Sequence, residues 1–179
     1  MKALAFNEFG GPEKLSLQEF PDPKIGPDDV LVRVHACALN HLDLWVRQGL
    51  PALKTPLPFW TGSDIAGEVV EVGSDVEGVK TGDRVAVNPN LSCRRCEFCL
   101  AGEDNLCLRY GIVGEHVPGG LAEYVAVRGD RVLALPPNIG YEEAAAFVLA
   151  NMTAWRMLVT QARVTPVEDV LVIGVGGGV

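Results

Sequence analysis

Four of the five cysteines in this 179-residue chain, Cys93, Cys96, Cys99 and Cys107, follow the spacing C-x2-C-x2-C-x7-C. Gaps of two residues turn neighbouring thiolates toward one point, and the longer gap brings the chain back to close a tetrahedron. Four sulfurs fill the shell of Zn²⁺ and leave no position for water or substrate. The spacing therefore predicts a structural ion, one per chain, bracing a lobe over residues 90–110 that has little core of its own. A disulfide framework fits less well, because it needs an oxidising compartment and the N-terminus Met1-Lys-Ala-Leu-Ala-Phe-Asn-Glu has no secretory apolar core. An iron–sulfur run also fits less well: its common form closes with C-x3-C-P, whereas here the last gap is seven and Leu108 follows Cys107. Cys37, in the apolar run from Val30, reads as a small buried hydrophobe rather than a ligand.

A second chemical signal sits at the other end. Asp169-Val-Leu-Val-Ile173 reads as an apolar strand running into Gly174, Gly176 and Gly177. Glycines at a strand-to-helix turn let the backbone approach a pyrophosphate, which the helix N-terminus attracts. These three are the candidate cofactor-binding glycines. In G-x-G-x-x-G register the third glycine position falls on Val179, and the chain contains no acidic residue further on to meet a ribose, so NAD and NADP are not separated. An edge strand with a flexible glycine tail is the less favoured alternative, given how apolar the strand is.

The elements that must position these groups are short. Candidate strands are Lys2–Phe6, Leu15–Glu19, Val30–Cys37, Ile65–Val72, Arg84–Asn88, Leu121–Val127 and Arg131–Leu135, with glycine and proline between them. Such a series suggests a partly closed β-barrel, and a mostly β fold with some α. A helix is expected from Asn40 to Arg47, with Asn40 as its cap and Gly49 past its end. Helical stretches are expected at Tyr141–Ala150 and Thr153–Ala162, Thr153 being a candidate N-cap. Residues 1–140 then form one domain, and 141–179 the linking helices and first strand of another. Hydrophobic content is 48% and no apolar run reaches membrane-spanning length. A net charge of −8 disfavours nucleic acid and anionic membranes as partners. The expected compartment is a reducing cytoplasm.

Together these features resemble the medium-chain dehydrogenase/reductase family, the zinc-containing alcohol dehydrogenases and quinone oxidoreductases. The cysteine lobe is the most specific match. Gly62-Ser-Asp-Ile-Ala-Gly67, Gly82-Asp-Arg-Val85, Gly119-Gly-Leu-Ala-Glu-Tyr124 and Glu142-Glu-Ala-Ala-Ala146 fit as well. The resemblance implies a GroES-like barrel, then the truncated start of a Rossmann domain, with the active site in the cleft between them. It implies an NAD(P)(H)-dependent oxidoreductase acting on a small molecule, and a whole protein that is a homodimer or homotetramer. It also places Thr153 near the nicotinamide.

The same resemblance shows a departure. The alcohol dehydrogenases hold a second, catalytic zinc by Cys, His and Cys. The matching positions here are Asn40, Ser63 and Leu149. Without that Lewis acid, hydride addition to a conjugated acceptor such as a quinone or enone is less demanding than alcohol oxidation. Asn40, His41, Asp43 and Asp64 are then the candidate cleft residues. Asn40 would face substrate or nicotinamide, or simply cap its helix. His41 would donate to a substrate oxygen or relay a proton, or be a solvated structural histidine. Asp43 would anchor the loop, and Asp64 would do likewise or face the cleft. Two alternatives remain: an unconventional metal site at His41, Asp43 and Asp64 serving alcohol oxidation, and a non-enzymatic GroES-like interaction module.

Overall fold

The computed structural model describes residues 1–51, 53–176 and 178. Strands β1 (Lys2–Ala5) and β2 (Ser16–Glu19) pair as an antiparallel ribbon. Strands β3 (Asp29–Ala38), β4 (Asp64–Val72) and β5 (Arg84–Val87) form the middle of a larger sheet. The stem pair β6 (Asn90–Leu91) and β7 (Gly111–Ile112) carries the cysteine lobe. Strands β8 (Tyr124–Arg128) and β9 (Val132–Ala134) complete a five-stranded antiparallel sheet in the order β8-β3-β4-β5-β9. The seven strands expected within residues 1–140 are all present within a few residues. The barrel is open: among the described residues β8 and β9 are the sheet's two edges and do not pair with each other.

Alternation along the strands decides what each face packs against. Val30, Val32, Ile65, Val69, Val85, Val87, Val125 and Val127 point to one side and make the main core cluster. The opposite face carries small residues, and the register aligns Ala36 with Ala66 and Ala66 with Ala86. This row of alanines across three strands is a shallow trough. Helix α3 (Tyr141–Trp155) lies against it through Ala144, Ala145 and Val148. Gly67 continues the tight packing, since a Cβ there would lie 2.1 Å from the Arg33 carbonyl oxygen. A smaller cluster of Phe6, Val46 and Phe59 joins β1 to helix α1 (His41–Gln48).

Helix α1 follows the sequence reading closely, with Asn40 at the N-cap and Gly49 at the C-cap. The C-terminal part does not. The two expected helical stretches are one continuous rod, α3 running on as wider π turns over Arg156–Gln161. Thr153, which reads as a capping residue, instead hydrogen-bonds back one turn, and Asn151 does the same. The Asn151 amide donates to the Phe147 carbonyl at 2.9 Å and the Thr153 hydroxyl to the Leu149 carbonyl at 2.8 Å. That satisfies the side chains without breaking the helix. Asp169–Ile173 is not a strand, and Leu171 and Ile173 are 86% and 88% exposed. Among the described residues it has no neighbouring strand to complete its hydrogen bonds, and an apolar sequence alone does not make a strand. No helix among the described residues is long and apolar enough to cross a membrane.

Candidate metal centre and cleft

The stem β6–β7 projects the lobe from the end of β5, and the short helix α2 (Glu97–Leu100) starts directly after Cys96 and carries Cys99. The four Sγ atoms lie within 4.8 Å of one another, with Cys96 to Cys99 at 3.5 Å and Cys93 to Cys99 at 4.0 Å. Sulfurs bound tetrahedrally to zinc at 2.3 Å stand about 3.8 Å apart, so the set is shaped for that ion. Two peptide N–H groups, of Cys93 and Arg109, donate to the Cys107 sulfur at 3.2 and 3.3 Å. Peptide N–H donors, that of Arg95 foremost, hold the Cys93 thiol down at about 6, while desolvation and hydrogen bonding with Cys96 and Cys107 push Cys99 up to about 11. A metal replaces the protons that the four would otherwise share. Within the first knuckle Arg94 takes the left-handed conformation at φ 58°, the local cost of turning both thiolates inward.

A zinc ion with four thiolates carries two net negative charges. Cys93, Arg95 and Arg109 line an open hollow of about 350 Å³ beside the cysteines, where the two guanidinium groups would offset that charge.

The cleft is built differently. Asp43 is buried, and its carboxylate accepts the backbone N–H of Asn40 at 2.7 Å and of Gly62 at 2.8 Å. It anchors the loop, as the sequence suggested. Gly62 adopts φ 103°, and a Cβ on it would lie 2.6 Å from the Cys37 sulfur. Asp64 is also buried, at 2% exposure. One of its oxygens accepts the Asn40 side-chain amide at 2.9 Å and the other the backbone N–H of Leu149 at 2.6 Å. Burial raises the Asp64 carboxyl, with the Asn40 and Leu149 hydrogen bonds opposing. The Ser63 hydroxyl is buried and donates to the Val113 carbonyl at 2.7 Å. Burial, with Asp43 and Asp64 nearby, pushes the Cys37 thiol up to about 12, as suits a packing residue.

Three sequence candidates, Asn40, Asp43 and Asp64, are thus joined in one network. His41 stands on the exposed side of α1, its ring 6.1 Å from that of Trp45. Among the described residues the cysteine set is the one group of three or more metal-capable side chains gathered around a point, so His41, Asp43 and Asp64 are not such a group. Thr153 is exposed inside α3, and Gly174 and Gly176 lie in an exposed segment that forms no strand-to-helix turn. Gly177 lies outside the described residues.

Several functional contacts escaped the sequence reading. His35 is the extra residue at a bulge in β3, and its ring stacks on Tyr141 at 4.4 Å while the Arg84 guanidinium covers the same ring at 4.8 Å. This stack fastens the start of α3 to the sheet. An apolar groove of about 740 Å³ runs between α3 and the β5–β9 edge, lined by Leu133, Leu135, Phe147, Val148, Trp155 and Val159. Trp60 packs on Phe20, with its indole N–H donating to the Gly119 carbonyl. Arg131 is 5% exposed and donates to the Ser92 hydroxyl at 2.6 Å and the Asp104 carboxylate at 2.8 Å. Only the placing of Glu103 and Asp104 between the third and fourth cysteines hinted that the lobe has charged attachments.

An open antiparallel sheet bearing a four-cysteine lobe, with a helix leading away across its small-residue face, is the architecture of a GroES-like domain of the medium-chain dehydrogenase type. The chain belongs to the alcohol dehydrogenase GroES-like domain family, whose model matches residues 26–137. An alcohol dehydrogenase of Geobacillus stearothermophilus is 39% identical over 180 residues, covering 99% of this chain and 52% of its own length. A quinone oxidoreductase of Mus musculus is 35% identical over 182 residues, covering 100% of this chain and 46% of its own. Among solved structures, a cobalt- and zinc-bound thermostable alcohol dehydrogenase from Pyrobaculum aerophilum superposes with a TM-score of 0.90 at 39% identity, covering 99% of this chain and 53% of that one. An NAD-dependent alcohol dehydrogenase superposes with a TM-score of 0.90 at 50% identity, covering 94% and 49%. The chain spans about half the length of the relatives it matches.

Proposed function

We propose that the whole protein is an NAD(P)(H)-dependent oxidoreductase that reduces a quinone, an enone or a related carbonyl compound, with zinc in the cysteine lobe alone. The observation that carries this reading is the commitment of the cleft's polar groups to one another. Asn40 and Leu149, two of the positions matching catalytic-zinc ligands, both donate to Asp64. Ser63, the third, donates to a carbonyl. None of the three is a thiolate or imidazole, and an open catalytic zinc site needs three such donors or carboxylates. A bound nicotinamide would supply the hydride. The chain's own part is then to orient the acceptor and to offer hydrogen bonds to the oxygen that gains charge. Asn40 is half-buried beside that space, and His41 is exposed on the same helix as a proton donor.

The relatives named alcohol dehydrogenases favour a second reading, in which the whole protein oxidises alcohols. Two measurements separate the readings. Metal analysis of the zinc-loaded chain is expected to give one zinc, bound through the cysteines, where a cleft site would give two. A screen of the whole protein with both nicotinamides is expected to find turnover with quinones or enones well above that with primary alcohols. The opposite order would overturn the proposal.

A further inference from the structure

The lobe is attached to the rest of the molecule by two neighbouring acids that point in different directions. Asp104 takes the buried guanidinium of Arg131, which lies where the chain enters β9. Glu103 takes the guanidinium of Arg156 at 3.1 Å, at the point where α3 passes into its π turns. Both acids lie in the seven-residue gap between Cys99 and Cys107, so their positions follow from closure of the fourth ligand. Arg94, inside the first cysteine pair, reinforces the first of these ties: it contacts Asp104 at 3.4 Å and reaches Asp130, beside Arg131, at 3.0 Å. The far end of α3 has few other restraints. Its start is held by the His35–Tyr141–Arg84 stack and its middle by Asp64, but Trp155 is 67% exposed and Met157 is 54% exposed.

We infer that the metal lobe is a positioning device for the outgoing end of α3, with Glu103–Arg156 as the contact through which metal occupancy in the lobe is felt at residues 152–161. The inference rests on the reading that the lobe holds zinc. Glu103 and Arg156 are positioning residues: neither touches the metal. With the thiolates released, the gap from Cys99 to Cys107 loses its closure and Glu103 no longer has a fixed place. The helix end then keeps only its own hydrogen bonds, and a terminus with few buried contacts frays.

The test is amide hydrogen exchange on the 179-residue chain, zinc-loaded and chelated, following peptides that cover 152–161 with β3 as the reference. Chelation is expected to speed exchange at 152–161 about two- to three-fold, the size one partly exposed ion pair supports, and to leave β3 unchanged. Arg156→Gln and Glu103→Gln should each show the faster exchange with zinc still bound, and no further response to chelation. The exchanged pair, Glu103→Arg with Arg156→Glu, should restore the response. The proposal is overturned if 152–161 ignores zinc removal in the parent sequence, if Arg156→Gln keeps the full response, or if β3 accelerates equally. A chain that takes up no zinc overturns both this inference and the reading beneath it. Metal analysis tells that result apart from a loaded lobe without influence on the helix.

Discussion

The cysteine lobe and the cleft around Asp64 both gather polar side chains from distant points in the sequence, and they use them in opposite ways. In the lobe the four sulfurs face one another, and the protein's own donors to them are mainly peptide N–H groups. In the cleft each polar group already has a protein partner: Asn40 and Leu149 donate to Asp64, Gly62 to Asp43, and Ser63 to Val113. A metal centre is recognised by donors that the fold brings together and does not otherwise use. A closed hydrogen-bonded network does the same mechanical work, joining α1, β4 and α3, with a carboxylate in place of an ion.

The largest effect should come from breaking the lobe. Cys96→Ser is expected to abolish zinc uptake, and since structural zinc contributes on the order of 10 kcal/mol where folding depends on it, residues 90–110 should lose exchange protection. Metal analysis with hydrogen exchange checks this, and retention of stoichiometric zinc would contradict it. The matching change in the cleft is Asp64→Leu, which leaves the Asn40 amide and the Leu149 N–H without their acceptor. The expected loss is about 3 kcal/mol in urea denaturation, the scale of two hydrogen bonds to a charged acceptor less the relief from burying it. A loss below about 0.5 kcal/mol would mean the network is not what joins these elements.

The smallest effect is a pH slope. Burial raises the Asp64 carboxyl above its ordinary value, so between the two values the folded chain holds a proton that the unfolded chain releases. Stability from this group therefore declines as pH climbs from about 4, the ordinary aspartate range, through the raised folded value, and is level above it. Asp64→Asn should flatten that part of the profile of denaturation midpoint against pH. An unchanged slope would assign it to other carboxyls.

Much of the lobe could be read from residue types alone, because ligand spacing is a local property and Cys93 to Cys107 spans a short stretch of chain. The strands were legible for a similar reason: valine alternation in Val30–Val34 and Val85–Val87 is local. What the sequence hid depends on pairing register. The alanine row Ala36–Ala66–Ala86 exists only once three strands align. Asp64 acquires its meaning from Leu149, far along the chain, as Arg131 does from Asp104. The Thr153 and Asp169–Ile173 expectations failed for the opposite reason. Local propensity marked a cap and a strand, while the helix found i−4 acceptors and the apolar run had no strand beside it among the described residues.

That same apolar run has a practical consequence for handling the chain. Leu171, Ile173 and Val175 are each more than four-fifths exposed, in a stretch rich in β-branched residues. Such a segment is a template for pairing between molecules. The acidic surface repels neighbouring copies at low salt, and added salt screens that repulsion while leaving the greasy strip intact. Concentrated, salted solutions of the chain should accordingly self-associate through residues 170–175, and a lysine in place of Leu171 should keep them clear.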